Sequence, residues 1–215
     1  MYRPQSFSIL PPVIKNLIII NALFLLGTFV VGNVYNVSLS YYLAMYFPSS
    51  PFFEPWQIIT HMFMHGGFEH FLFNMFALWM FGTRLENMWG GQKFLIYFIA
   101  TGLGAAFLYE LTNYLQFMSG AISEYTLYTT AALGASGAVF GILMAYGMLY
   151  PNELVYVYFL MPVRVKYFVA IYGAIELWMG FSRSDSGVAH FAHLGGMLFG
   201  YLLIRYWKSK GRLYH

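Results

Sequence analysis

The sequence predicts an all-α polytopic membrane protein with six transmembrane helices. The chain is 60% hydrophobic and only 9% charged, whereas soluble domains are about 45–50% apolar and about 25% charged. Its apolar runs also approach the roughly 20 residues that a helix needs to span the hydrocarbon core of a bilayer. The six runs are 13–32, 68–83, 93–112, 132–150, 162–181 and 188–206.

The basic residues predict the orientation of these spans. With the N-terminus inside, ten of the eleven Lys and Arg residues fall in inside segments, and only Arg183 falls outside. Because cytoplasmic segments carry the excess of basic residues, we expect both termini to lie in the cytoplasm. The net charge of +3 reflects this asymmetry and not a nucleic-acid surface. Six bare spans favour a bacterial inner membrane, with a mitochondrial or a eukaryotic secretory membrane as the alternatives.

The connecting segments are short enough for a single membrane domain over residues 1–215. The first span is interpreted as a retained helix, because no small-residue cleavage site follows it. The first outside loop is rich in Tyr, Phe and Pro, which is typical of a segment in the headgroup zone. The predicted segments are a cytoplasmic tail 1–12, an outside loop 33–67, an inside turn 84–92, an outside connection 113–131, an inside connection 151–162, an outside turn 182–187 and a cytoplasmic tail 207–215.

Polar side chains inside the apolar runs are the candidate functional residues, because each is costly in a bilayer without a partner. Ser136 lies at the outside end of the fourth run, and His193 lies near the outside end of the sixth. His70 and Asn74 lie near the outside end of the second run. The topology therefore brings all four to a similar depth on one side of the membrane.

Glycines accompany these residues at helical spacing. His193, Gly196 and Gly200 are at i, i+3 and i+7 and share one helix face. Gly137 and the glycine four residues later form a Gly-x-x-x-Gly pair beside Ser136, and such small residues let helix backbones approach closely. We expect the fourth and sixth helices to pack through these glycines, with Ser136 opposite His193.

This arrangement would suit nucleophilic catalysis. Serine is a weak nucleophile until an adjacent base takes its proton, and imidazole is the usual base. His70 and Asn74 at i and i+4, with the Ser136 backbone N–H at a helix start, would supply donors for an oxyanion. The chain has no cysteine, which excludes disulfides, a thiolate nucleophile and a cysteine-bound metal.

Three motifs occur at matching depth along the chain. They are Gly134-Ala-Ser136-Gly137, Ala192-His193-x-x-Gly196-x-x-x-Gly200, and His65-x-x-x-x-His70-x-x-x-Asn74 preceded by Thr60-His61. Together they resemble the motifs of the rhomboid intramembrane serine proteases. The resemblance covers all six spans and implies the six-transmembrane-helix rhomboid fold.

The resemblance implies an intramembrane serine endopeptidase that cleaves transmembrane segments of other membrane proteins through an acyl-enzyme. Ser136 would be the nucleophile and His193 the general base, in a dyad without an aspartate. The only aspartate, Asp185, lies in a loop and is poorly placed to orient the imidazole. His70, Asn74 and the Ser136 amide would stabilise the oxyanion. The implied partners are transmembrane substrates and the lipid bilayer, with no cofactor and no metal.

Further positions match the family pattern. The resemblance implies that His65 orders the outside loop and that Glu86 anchors the inside turn. Phe140 stands where some members have a tyrosine that stacks on the catalytic imidazole, so it keeps the stacking face and lacks the hydroxyl. The glycines expected to shape the site and its cavity are Gly134, Gly137, Gly196 and Gly200.

Alternatives stay open for other polar residues. His190 precedes His193 by three residues, but it lies nearer the outside surface and has no glycine ladder, so His193 is the preferred base. Glu110 and Glu176 are interpreted as interhelical hydrogen-bonding groups, with a catalytic role as the alternative.

Two other function classes compete with the serine protease. A metal site is suggested by five imidazoles on one membrane face, but an intramembrane metalloprotease would show His-Glu-x-x-His and a distant Asp. Here His190-Phe-Ala-His193 has no glutamate. A non-catalytic rhomboid-like protein that binds membrane clients is the third class, and such relatives usually lack the serine or histidine that this chain retains.

Overall fold

The computed structural model describes residues 7–157, 160–182 and 189–213, and that part of the chain is mainly helical with one two-stranded sheet. The helices are α1 (Pro12–Tyr35), α2 (Leu39–Leu43), α3 (Gln57–Thr60), α4 (Phe68–Trp89), α5 (Gly91–Met118), α6 (Glu124–Thr129), α7 (Ser136–Leu149), α8 (Val165–Phe181) and α9 (His190–Ser209). A 3-10 turn, His61–Phe63, continues α3. The strands are β1 (Leu154–Val157) and β2 (Met161–Arg164).

The six long helices overlap the six predicted apolar runs, and the mainly helical architecture is confirmed. They are α1, α4, α5, α7, α8 and α9. Among the described residues, α1 and α5 are long and apolar enough to cross a membrane by length and composition, and α7 is a shorter apolar helix. The crossing of the bilayer by all six stays a prediction.

The predicted inside turn over residues 84–92 is wrong. Helix α4 continues to Trp89, and Gly90 alone separates it from α5. The φ angle of Gly90 is +79°, a conformation that glycine adopts without steric cost. The chain therefore reverses at a single residue, and the polar residues assigned to the turn lie in the last turns of α4.

Glu86 is one of these residues, and it anchors α1 instead of a turn. Its Oε1 accepts a hydrogen bond from the Val13 N–H and its Oε2 accepts one from the Ile14 N–H, both at 2.9 Å. These N–H groups have no partner within the helix, because they belong to its first turn. Pro12 at the start of α1 has no N–H to satisfy. The buried carboxylate thus caps α1 and joins it to α4.

Two of the predicted outside segments contain more helix than expected. Helix α1 extends to Tyr35, α2 and α3 lie within the predicted loop, and Met45 pairs with Ala132 in an isolated β-bridge. Helix α5 extends to Met118, and α6 lies within the predicted connection 113–131. A helix satisfies its own backbone hydrogen bonds on either side of the membrane surface, so it need not end where the apolar run ends.

The predicted inside connection 151–162 overlaps a hairpin that was not expected from the sequence. Strands β1 and β2 pair antiparallel, with Leu154 opposite Arg164 and Val157 opposite Met161. Valine and tyrosine in β1 favour a strand. Because β2 includes residues 161–164, the following helix begins at Val165, three residues after the predicted start.

The predicted tail over residues 207–215 is helical at its start. Helix α9 extends to Ser209, and Trp207 is buried. The Trp207 ring lies 5.4 Å from the Trp89 ring and 5.8 Å from the Tyr97 ring, measured between centroids. Residues 1–6 of the predicted N-terminal tail, together with Arg183 and Asp185, lie outside the described residues.

The centre of the fold is the packing of α5, α7 and α9. Phe94, Tyr97 and Phe98 of α5 are fully buried together with Ile142 of α7. The Tyr97 hydroxyl donates a 2.8 Å hydrogen bond to the Gly141 carbonyl, which removes the cost of burying it. This packing brings the N-terminal ends of α7 and α9 together, and the predicted site lies there.

Candidate active site

Ser136 is the first residue of α7 and is half-buried. The preceding Gly134 has φ of +125°, which only glycine adopts readily. The Gly134 N–H donates a 2.9 Å hydrogen bond to the His61 carbonyl, so the chain is held to the predicted outside loop just before the helix. The Ser136 amide belongs to the first helical turn, where N–H groups have no partner within the helix.

The Ser136 hydroxyl meets the His193 imidazole. The distance from Ser136 Oγ to His193 Nε2 is 2.9 Å, and His193 lies one turn inside the start of α9. Nucleophile–base pairs of enzymes lie at such distances. The structure therefore brings together the two residues that the sequence analysis singled out.

Glycines allow this approach, although their arrangement differs in part from the prediction. A Cβ on Gly196 would overlap the Gly137 carbonyl, and a Cβ on Gly200 would lie 3.1 Å from the Gly141 carbonyl oxygen. The bare faces of Gly137 and Gly141 point elsewhere, because a Cβ on either would overlap a side chain of α5. The α9 glycines thus receive the α7 backbone, whereas the α7 glycines receive α5.

Phe140 covers one face of the His193 ring. The two rings are stacked, with centroids 4.2 Å apart and planes 8° apart. A second aromatic neighbour of Phe140 is Tyr172 of α8, at a centroid distance of 6.0 Å. Stacking restricts rotation of the imidazole about its own axis, and phenylalanine does this without a hydroxyl.

His70 lies beside the serine, and Asn74 lies one helical turn further along α4. A Cβ added to Gly134 would lie 2.9 Å from His70 Cε1 and 3.5 Å from Ser136 Oγ. The His70 and Ser136 side chains therefore both lie next to Gly134. The Gly66 N–H points to His70 Nδ1 at 3.4 Å, which favours the tautomer with its proton on Nε2. Asn74 Nδ2 donates to the His70 carbonyl at 2.8 Å.

His65 packs behind His70 in the outside loop. Its ring centroid lies 5.1 Å from that of His70 and 5.5 Å from that of Phe71. Burial, together with the neighbouring His70, lowers the pKa of His65 to about 4, so the ring is neutral at pH 7. Both of its ring nitrogens are buried, and neither has a well-aligned hydrogen-bond partner among the described residues. His65 therefore acts as a packing group in this environment.

The comparisons with known proteins agree with this geometry. The family model of the Rhomboid domain matches residues 53–209. The chain belongs to the rhomboid family. This is a family of integral membrane proteins, and every predicted site residue of the present rhomboid lies within the matched range.

Individual relatives share about a third of their aligned residues with this rhomboid. It is similar to Rhomboid protease GluP of Bacillus subtilis (strain 168), at 31% identity over 69% of this chain and 25% of that protein. It is also similar to Rhomboid protease AarA of Providencia stuartii, at 29% identity over 69% of this chain and 54% of that protein. Rhomboid protein 1, mitochondrial, of Saccharomyces cerevisiae is 33% identical over 67% of this chain and 40% of that protein. The chain spans between a quarter and two thirds of the length of such curated relatives.

The sequence analysis missed an acidic neighbour of the imidazole. Glu176 of α8 lies with Oε2 3.0 Å from His193 Nδ1 and 2.7 Å from His190 Nδ1. The contact with His190 is a hydrogen bond, whereas the contact with His193 has the distance of an ion pair without the alignment of a hydrogen bond. Glu176 is thus an interhelical partner, as expected. The signal that could have placed it is its depth, near the outside end of the fifth run.

In the described part of the chain, Glu176, His190 and His193 are also the group of residues whose spacing would suit a metal ion. Their ligand atoms all lie within 4.8 Å of one another. The carboxylate oxygen, however, already lies at 2.7 and 3.0 Å from the two imidazole nitrogens, so these contacts are accounted for without an ion. Glu110 of α5 is a further buried acid, and its Oε1 has no hydrogen-bond partner among the described residues. Its interhelical role stays a prediction.

Proposed function

We propose that this rhomboid is an intramembrane serine endopeptidase, with Ser136 as the nucleophile and His193 as the general base. The observation that carries the proposal is the 2.9 Å contact between Ser136 Oγ and His193 Nε2 at the ends of two closely packed helices. Relatives with about 30% identity are named rhomboid proteases, which supports the same class of reaction.

The chemistry begins with attack of Ser136 Oγ on the carbonyl carbon of a peptide bond in the substrate. His193 Nε2 takes the hydroxyl proton as the new C–O bond forms. The tetrahedral intermediate then expels the amine, which receives that proton from the imidazolium, and the acyl-enzyme remains. Water attacks the ester, gives a proton to His193, and releases the carboxylic acid while Ser136 recovers its proton.

The negative charge that develops on the substrate carbonyl oxygen requires hydrogen-bond donors beside it. The Ser136 backbone N–H, the His70 Nε2–H and the second N–H of the Asn74 amide are the donors that we assign to it. The first is unpaired within the helix because it belongs to the first turn of α7. The hydrogen bond from Gly66 to His70 Nδ1 supports a proton on the Nε2 of that ring.

The membrane setting follows from composition and charge. We infer six spans with both termini in the cytoplasm, since ten of the eleven basic residues then lie on the cytoplasmic side. We also infer that the membrane is a bacterial inner membrane. Ser136 and His193 would lie toward the outside surface, so water reaches them from that side. The family resemblance points to substrate helices that unwind easily and carry a small residue before the cleaved bond.

The test uses purified protein in detergent with a single-span model substrate. We expect wild-type protein to cleave it, and Ser136→Ala and His193→Ala to reduce cleavage to the background rate, while His190→Ala keeps measurable cleavage. Ser119→Ala is the matched control, because Ser119 is an exposed serine whose hydroxyl bonds the Gln116 carbonyl at the end of α5. Equal cleavage by Ser136→Ala and wild type would overturn the proposal.

Two further arms separate the competing function classes. Dialysis against EDTA is expected to leave cleavage unchanged, and a loss restored by Zn²⁺ would assign a metal to Glu176, His190 and His193 instead. Labelling by a fluorophosphonate is expected in wild type and absent in Ser136→Ala, because the reagent needs an activated serine. A Ser136→Ala protein that still supports the cellular role would favour a client-binding protein without catalysis.

A further inference from the structure

Glu176 is an exception on its own helix. Helix α8 exposes most of its apolar side chains, and its buried residues are Val165, Val169 and Glu176. The side chain of Glu176 is only 9% exposed, and a buried carboxylate is costly without charged or hydrogen-bonding partners. Its partners in the described residues are both imidazoles of α9.

These contacts extend the Ser–His pair into a continuous chain of groups. Ser136 Oγ lies 2.9 Å from His193 Nε2, and the opposite ring nitrogen of His193 lies 3.0 Å from Glu176 Oε2. A carboxylate close to the second nitrogen of a general base favours the proton on that nitrogen by its charge, which leaves the first nitrogen free to accept. It also stabilises the imidazolium that forms when the serine is deprotonated.

We propose that Glu176 is a positioning residue that orients His193 and stabilises its protonated form during the reaction. The inference rests on the proposed function of Ser136 and His193. It extends the expected dyad without an aspartate, because the acidic neighbour of His193 is a glutamate of α8. Helix α8 thereby takes part in the reaction through one side chain.

His190 is the group that holds the carboxylate. Its Nδ1 lies 2.7 Å from the same Oε2 atom that faces His193. The two imidazoles are perpendicular, with an interplanar angle of 89° and centroids 6.5 Å apart, so the oxygen is approached from two directions. His190 therefore fixes the position of Glu176, which acts in turn on His193.

The other groups around His193 leave Glu176 as its acidic neighbour in the described part of the chain. Helix α7 contributes the Ser136 hydroxyl and the Phe140 ring. Helix α4 contributes His70, whose charge would repel that of His193. Helix α5 approaches α9 at this level through Ala105 and the Gly104 carbonyl, near Gly195, and neither titrates.

The experiment compares Glu176→Gln with wild type in detergent, using the single-span substrate. The amide keeps the shape and removes the charge, so we expect kcat to fall at least tenfold with KM unchanged. Because a nearby carboxylate favours the imidazolium, its removal should move the acid limb of the pH profile of kcat to lower pH by about one unit. Glu110→Gln, a neutralised buried glutamate on α5, is the matched control and should change neither quantity.

The outcomes separate a positioning role from a merely structural one. An acid limb at the wild-type pH in Glu176→Gln would overturn the proposal, even if the melting temperature fell, and so would an unchanged kcat. If Glu176→Gln does not elute as a folded protein, His190→Asn provides the decision. We expect it to lower kcat several-fold without changing KM, and an unchanged kcat would again overturn the proposal.

Failure of this inference is distinguishable from failure of the proposed function. Fluorophosphonate labelling of Ser136 in wild type and its loss in His193→Ala test the Ser–His pair and do not depend on Glu176. Wild-type labelling with an unaltered pH profile in Glu176→Gln would leave the pair standing and reject only the role of the carboxylate.

Discussion

Helix α9 contacts its neighbours α7 and α8 in two different ways. Against α7, Gly196 lies so close to the Gly137 carbonyl that a single added carbon would overlap it. Against α8, side chains make the contact, and a cavity of about 440 Å³ lies between α7, α8 and α9. One interface is backbone against backbone, and the other is partly open.

The difference separates two requirements of the site. The distance between Ser136 and His193 depends on the close α7–α9 packing, because both residues lie on those helices. The acidic partner of the imidazole, Glu176, lies on the loosely packed α8. There a polar contact with His193, and not close backbone packing, joins the two helices. We therefore expect substitutions on the two sides of α9 to differ sharply in their effects.

The largest effect is expected for Gly196→Val. The new side chain would meet the Gly137 carbonyl, which is backbone and cannot rotate away, so α9 must move from α7 and carry His193 with it. Overpacking typically costs about 1–3 kcal/mol, and a clash with backbone lies at the upper end of that range. We expect a large fall in the free energy of unfolding in detergent, together with loss of substrate cleavage.

Gly27→Val in α1 is the control for this substitution. A Cβ on Gly27 would lie 3.7 Å from Leu39 Cδ1, which is ordinary van der Waals contact. The same chemical change should therefore leave folding and cleavage close to wild type. Similar stability in the two variants would show that α9 can separate from α7 at little cost, and the comparison between the two interfaces would then fail.

An intermediate effect is expected for Phe140→Leu. Phe140 belongs to the tight side, yet it also reaches Tyr172 of the loose side. Loss of the stacked ring removes about 0.5–1.5 kcal/mol of aromatic interaction, so kcat should fall by roughly two- to tenfold. Steady-state cleavage at a fixed pH measures the change.

Phe140→Tyr is the matched variant, because it keeps the ring and restores the hydroxyl found in some family members. We expect its kcat to stay within about twofold of wild type. If Phe140→Leu were as active as Phe140→Tyr, stacking would not be what holds the imidazole, and the contact with Glu176 would bear that role alone.

The sequence predicted the parts of this comparison that depend on helical spacing. The i, i+3, i+7 pattern from His193 placed Gly196 and Gly200 on one face, and that face does receive α7. The spacing of Gly137 and Gly141 was equally regular, but it could not reveal which neighbour their bare face meets. A neighbouring helix can approach a glycine either at its backbone carbonyl or at its Cα. The same Gly-x-x-x-Gly spacing is compatible with both kinds of contact.

Glu176 shows a second limit of sequence reasoning. Asp185 is the single aspartate of the chain, and its place in a predicted loop pointed to a dyad without an aspartate, as in the family pattern. Glu176 lies 17 residues before His193 on another helix, so no local motif connects them. Only the packing of α8 on α9 brings the two side chains to 3.0 Å. The hairpin before α8 was missed because its two strands have four residues each, and so short an apolar segment does not reveal a strand by its periodicity.

The smallest effect is expected for Gly173→Ala on α8. A Cβ there would lie 3.2 Å from Met197 Cε, the free end of a flexible side chain beside the cavity, so the methionine can move aside. Replacing a mid-helix glycine by alanine favours the helix by about 0.5–1 kcal/mol. We expect thermal unfolding in detergent at or slightly above the wild-type temperature.

Gly147→Ala is the comparison variant, because Gly147 lines the same cavity from α7. Its added Cβ would lie 2.8 Å from Val169 Cγ2, and the stiff valine cannot move aside as methionine does. A lower unfolding temperature for Gly147→Ala than for Gly173→Ala would show that the contact between α8 and α9 is loose because Met197 can move. An equal fall in unfolding temperature for both variants would mean that α8 is packed as rigidly as α7.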